Sequence, residues 1–255
     1  MLTRLKEHGF LFSELVKRDF KKKYKRTYLG MLWSVFSPLL TLFVMRIVFT
    51  RFFGREVENY TTYLFCGNIV FSFFNEASNG GMTSLLSNAE IFTKINIPKY
   101  LFLFSRNVSS LINFALTFVV FLLFTVIDGV RITPYFLLLI IPIFCLVVFN
   151  LGIGLILSAL FVFFRDVQYL WSVFTMLLMY MSAIFYTIDV YPADVQSFFH
   201  LNPVFVYIKY FRTVVLDGEI PSLAMHALTI GYAVLFFLVG AVIYKKYNHK
   251  FLYYV

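Results

Sequence analysis

The chain has 255 residues, of which 60% are hydrophobic, 21% aromatic and only 14% charged; 22 Lys and Arg against 13 Asp and Glu give a formal charge of +9. A soluble domain carries about 25% charged residues, so an ordinary water-soluble enzyme or nucleic-acid-binding domain is excluded. The apolar residues gather in segments of about 20 or more, the length an α-helix needs to cross the hydrocarbon core; the fold class predicted is all-α, a polytopic membrane protein.

In chain order, Leu5 to Tyr24 comes first, with the spacing of an amphipathic helix. At 100° per residue Leu5, Phe12, Leu15, Val16, Phe20 and Tyr24 fall on one side, and Glu14, Lys17, Arg18, Lys21, Lys22 and Lys25 on the other. Such a helix is expected to lie in the interface plane with its apolar side in the acyl boundary. It forms an interface unit, 1–28, ahead of a membrane unit, 29–255. No cleavable signal sequence is expected, because the basic stretch is too long and the first apolar run exceeds an h-region.

Six spans are predicted: Leu29–Phe53, Tyr60–Asn79, Leu101–Ile127, Tyr135–Phe164, Tyr169–Ile188 and Leu223–Tyr244. The second is the weakest, interrupted by Asn68, Asn75 and Glu76. With the amino terminus inside, sixteen Lys and Arg fall on the inner side and five on the outer, which places both ends in the cytoplasm. The inner connection, 80–100, contains the helix-like patch Ser84 to Phe92, whose apolar knobs have no evident fold to pack into. The outer connection, 189–221, is half apolar and broken by Pro192 and Pro203, which suits re-entrant helices covered by protein.

Arg46, within the first span, is expected to snorkel or to pair with Asp189, Asp217 or Glu219. Arg165 and Asp166 are expected to form an ion pair at a helix start. Cys66 and Cys145 read as buried packing residues. No glycine precedes a lysine, so there is no P-loop; the four histidines are scattered and no paired acidic motif suits a metal. The chain is therefore expected to be no enzyme and to bind no metal or other cofactor.

Arg18 to Trp33 (RDFKKKYKRTYLGMLW), followed by Ser37-Pro38-Leu39, resembles the amino-terminal signature of polysaccharide-exporting ABC permeases of the ABC-2 type, which serve O-antigen, capsule and teichoic acid export. Phe164-Arg165-Asp166, Ser182-Ala183-Ile184-Phe185-Tyr186, Leu201-Asn202-Pro203 and Arg212 are similar to further motifs of that family, in order and across essentially the whole chain. Ala183 departs from it, since the family more often has proline there. The resemblance implies a homodimer around a central channel in a bacterial cytoplasmic membrane, with two copies of a separate ATPase beneath that hold ATP and Mg. The substrate implied is a glycan on a polyprenyl diphosphate, moved to the outer face.

The family places its channel between the first and fifth spans. Trp33, Phe36, Leu40, Phe43 and Ile47 share one face of the first; Trp171, Phe174, Leu178, Met181 and Phe185 share one face of the fifth, with Tyr180 and Tyr186 as further candidates. Aromatic faces let a sugar polymer slide, offering stacking area with little demand on hydrogen-bond direction; with 34 Phe and 17 Tyr, such stripes also arise as lipid-facing or packing surfaces. Lys21, Lys22, Lys23, Lys25 and Arg26 are expected to attract the carrier diphosphate, or to anchor anionic lipid. Leu85, Leu86, Glu90, Ile91 and Phe92 are expected to form the helix that docks on the ATPase. The rival readings are an ABC-2 exporter of drugs or small lipids and, in a different class, a membrane glycosyl- or acyltransferase.

Overall fold

A computed structural model describes residues 2–24, 27–53, 59–94 and 97–254, without the side chains of 2–8, 23, 24, 31 and 50–53. Among these residues there are ten α-helices and no strand. They are α1 (Leu2–Tyr24), α2 (Trp33–Phe53), α3 (Tyr60–Thr83), α4 (Ala89–Lys94), α5 (Tyr100–Ile127), α6 (Ile140–Phe163), α7 (Val167–Met181), α8 (Ala193–Phe199), α9 (Pro203–Arg212) and α10 (Leu223–Tyr247).

Three helical segments are long and apolar enough to cross a membrane: Tyr100–Ile127, Pro134–Phe163 and Leu223–Tyr247. Trp33–Phe49 and Val167–Met181 are shorter apolar helices. The fifth predicted span is truncated, because α7 stops at Met181 and Ala183 turns to φ +49°, a left-handed conformation that ends a helix. The non-proline residue at 183 thus marks a helix end rather than a kink.

α3 is the central helix, packed against α5, α6 and α9, while α10 lies along α6 and α2 sits against α3 and α5. Glycines permit the closest approach. A methyl group on Gly152 of α6 would meet the Phe236 carbonyl of α10 at 2.5 Å, and one on Gly81 of α3 would meet the Gly154 backbone at 2.9 Å. Close backbone packing is how helices associate where lipid offers no hydrophobic drive. Cys66 and Cys145 are buried free thiols, as expected.

Helix starts follow side-chain chemistry. Asp128, at the end of α5, accepts from the backbone N–H and the hydroxyl of Thr62 at 3.1 and 2.9 Å, setting a carboxylate on the first turn of α3. Asn202 caps α9 through Val204 N–H, and Ser222 caps α10 through Met225 N–H.

A second core gathers at one end of the bundle: Leu15 of α1, Leu85, Phe92 of α4, Phe102 of α5, Val162 of α6, Tyr244 of α10 and Phe251. α1 and the carboxy-terminal segment therefore share one end. Of the side of α1 expected in the acyl boundary, Leu15 is buried against protein while Phe12, Val16 and Phe20 are half-buried; the neighbouring Leu11 joins the same core and Phe10 is exposed.

Candidate functional site

On α2, Trp33, Phe36, Leu40, Phe43 and Ile47 are all exposed, so this chain provides no cover for the face expected to line a channel. On α7 the expected face is split. Trp171 is partly buried, donating its indole N–H to Ser78 Oγ at 3.3 Å and packing edge-on to Phe74. Trp171, Phe174 and Leu178 line an apolar crevice of about 220 Å3 bounded by α3, α6, α9 and α10. Phe174, Tyr180 and Met181 remain exposed. Phe185 lies beyond the helix and stacks on Phe49 of α2 with ring centres 4.7 Å apart. The Tyr186 hydroxyl donates to the Tyr180 carbonyl at 2.8 Å.

The residues after α7 are held by a clamp that joins three of the quoted motifs. Arg212, buried at the end of α9, donates to the carbonyls of Ala183 at 2.9 Å, Ile184 at 3.1 Å and Tyr63 at 3.4 Å. Its guanidinium lies 3.4 Å from the centre of the Tyr63 ring, a cation–π contact in a desolvated site. The Tyr63 hydroxyl donates to the Tyr186 carbonyl at 2.6 Å, and that of Tyr60 to the Phe185 carbonyl at 2.7 Å. Asn202 donates to Ser182 Oγ at 2.9 Å and to the Met181 carbonyl at 3.2 Å. Non-helical carbonyls buried in protein need partners, and α3 and α9 supply them. The motif residues were visible in the sequence; their mutual contact was not, since Arg212 lies 29 positions from Ala183.

At the opposite end, Asp19 is 2% exposed and sits between two cations: Arg18 at 2.8 Å and Arg106 of α5 at 3.7 Å. Ser105 donates to it at 3.2 Å. Arg18 also donates to Asn88 Oδ1 at 2.7 Å, in the turn before α4. Arg18, expected on the solvent side of the helix, thus ties it to the inner connection. Lys21 and Lys22 are exposed; the side chain of Lys23, and Lys25 and Arg26, lie outside the described residues.

The expectation that the patch Ser84 to Phe92 projects its apolar residues is corrected. Leu85 is fully buried, Phe92 is 5% exposed, and Leu86 and Ile91 pack partly against the same core. α1, α5, α6 and α10 supply the fold that packs them. Glu90 is the exposed member of the set.

One charge expectation narrows and another changes. Arg46 is exposed and makes no ion pair among the described residues, so of its two expected outcomes the pairing with Asp189, Asp217 or Glu219 is not seen. Arg165 and Asp166 are both exposed; Asp166 precedes α7 without a side-chain cap bond, and Arg165 lies 5.7 Å from the Phe161 ring instead.

The sequence profile of the ABC-2 type transporter family matches residues 11–216, a region that includes both ends of this arrangement. The chain belongs to that family. Among curated relatives, an O-antigen export system permease protein of Klebsiella pneumoniae is 30% identical over 250 residues, covering 95% of each chain. A protein of the same description from Myxococcus xanthus is 24% identical, over 87% of this chain and 86% of its own. A capsule polysaccharide export inner-membrane protein of Neisseria meningitidis is 22% identical, over 76% of this chain and 74% of its own. The family match takes in Arg18, Asp19, Asn88, Arg106, Ala183 and Arg212, so the clamp and the Asp19 network lie within the family's shared region.

Proposed function

We propose that the chain is the membrane-embedded permease subunit of an ATP-driven exporter that moves lipid-linked polysaccharide across a bacterial cytoplasmic membrane. The observation that carries this reading is the near end-to-end match to permeases described as exporting O-antigen, supported by matches to capsule exporters. Within it, the chain crosses the membrane six times with both ends in the cytoplasm, α8 and α9 forming a re-entrant outer segment. Two copies pair, and the uncovered aromatic face of α2 lines the path between them. ATP and Mg reside in a separate ATPase subunit, which docks on the end bearing α4, with Glu90 as the exposed contact. Lys21, Lys22, Lys23, Lys25 and Arg26 gather the carrier diphosphate at the entrance.

Deleting the gene in its bacterium is the direct test. The surface polysaccharide is expected to disappear while the lipid-linked precursor accumulates inside, and a plasmid copy should restore export. An unaltered surface polysaccharide after deletion refutes the reading; loss of resistance to a small apolar drug, without a glycan defect, replaces it with small-molecule export.

A further inference from the structure

Two of the polar interruptions of α3, Asn68 and Glu76, belong to a larger pattern. Asn68, Ser72, Glu76 and Gly80 recur every fourth residue along α3; Arg106, Ser110, Asn113 and Thr117 recur at spacings of four, three and four on α5; Ser34, Ser37 and Thr41 share a side of α2. Spacings of three and four place residues on one helical face. The structure brings the three stripes together around adjoining cavities.

The larger cavity, about 450 Å3, is lined by Ser37, Thr41, Asn68, Ser72, Glu76 and Asn113, with Trp33 at its edge. A second, about 290 Å3, continues from Glu76 past Gly80, Ser110 and Arg106 to Asp19 and Lys22 at the α1 end. A narrow neck between Glu76, Ser110 and Asn113 lies beside both. The larger volume falls in the range of about 300–1,000 Å3 typical of small-ligand sites.

The lining is unusual for a membrane protein surface. Asn113 donates to the Glu76 carboxylate at 2.6 Å, a charge-assisted bond that aims the acid. The hydroxyls of Ser37, Ser72 and Ser110 and the carboxamide of Asn68 make no hydrogen bond among the described residues. An ionisable residue within a span is costly in lipid and normally faces a water-filled cavity or a ligand. The unpaired hydroxyls of Ser37, Ser72 and Ser110 and the Asn68 carboxamide beside a carboxylate, with the Trp33 indole in the same lining, are the groups that pair with the vicinal hydroxyls and apolar face of a sugar ring.

We infer that the groove between α2, α3 and α5 is a saccharide-binding site, holding one or two hydroxyl-rich sugar units of the exported glycan through Asn68, Ser72, Glu76 and Asn113. This rests on the polysaccharide reading above and adds to it a polar groove beside the α2 aromatic face, with which it shares Trp33.

The test uses the full exporter in cells. Asn68→Leu and Ser72→Leu make the groove apolar, a change that lipid-facing positions of a span tolerate. Each is expected to lower glycan export about tenfold, the effect of losing one or two hydrogen bonds to a ligand, with the protein at its normal membrane level. In parallel, the photo-crosslinker p-benzoylphenylalanine placed at Ser72 or Ser37 should capture the cell's own lipid-linked glycan, seen as a glycan-stained band of raised mass. The same probe at Leu238, exposed on α10, should not. Ser37 is already exposed, so its probe reports even if a leucine variant fails to accumulate. Normal export with no glycan captured, or capture of a second copy of the chain in its place, overturns the site while leaving the exporter reading standing. Only persistence of surface polysaccharide after gene deletion brings down both.

Discussion

Arg18 of α1 donates to the side-chain oxygen of Asn88 at 2.7 Å, fastening the amino-terminal helix to the turn that leads into α4. The same guanidinium pairs with Asp19, which Arg106 and Ser105 approach from α5. One buried carboxylate thus joins three segments at the end proposed to meet the ATPase. On the proposed docking, a push on α4 would reach α1 through these polar contacts.

Removing the carboxylate leaves Arg106 with its charge and no counter-ion, and breaking such a buried pair costs about 3–5 kcal/mol. Asp19→Asn is therefore expected to lower the thermal midpoint of the purified subunit and its level in membranes. Asn88→Ala removes the link to Arg18 together with the Asn88 carboxamide's bond to the Ser84 carbonyl, at about 1 kcal/mol each, and should leave the protein in place while reducing glycan exported per ATP hydrolysed. Equal export per ATP in Asn88→Ala would detach this network from coupling.

Arg212→Lys tests the clamp. A lysine keeps the charge but has no planar fork to reach Ala183, Ile184 and Tyr63 together, nor the same stacking on the Tyr63 ring. The variant should lose about 2–4 kcal/mol of stability, the sum of one to two charge-assisted bonds, with protease cleavage appearing between residues 183 and 190. A protein as stable and as resistant as the wild type would mean that α3 alone holds this segment.

The aromatic path is tested by volume-conserving change. Phe36→Leu, Phe43→Leu and Phe174→Leu alter residues at 41%, 63% and 46% exposure, so folding should be unaffected. If their flat faces carry sugar, leucine in pairs should slow export severalfold, since stacking is worth about 0.5–1.5 kcal/mol per contact. Wild-type export by the leucine pairs assigns these rings to lipid. Phe185 is a poor reporter because it stacks on Phe49, and its loss affects packing as well.

Gly152→Ala probes the α6–α10 contact. The added methyl meets the Phe236 backbone at 2.5 Å, where no side chain can move aside. The helices must separate, at about 1–3 kcal/mol for overpacking, and the variant should show a lowered thermal midpoint in detergent. Gly231→Ala, in open space on α10, should not.

The membrane class, most helix positions and the motif residues followed from the sequence, because apolar length and the 3.6-residue period are local properties. Local period shows which side chains share a face; it does not show what covers that face. Leu85 and Phe92 therefore read as exposed docking knobs, whereas α1 and α5 bury them. The stop at Ala183 depended on a left-handed backbone held by Arg212 and Tyr63 from distant segments. Asn68 and Glu76 read as interruptions of one span until packing set them beside matching stripes on α2 and α5. Propensity and periodicity act over a few residues, while burial, ion pairing and cavities arise between helices; only the tertiary structure decided which polar residues face one another and which apolar ones are left for a partner.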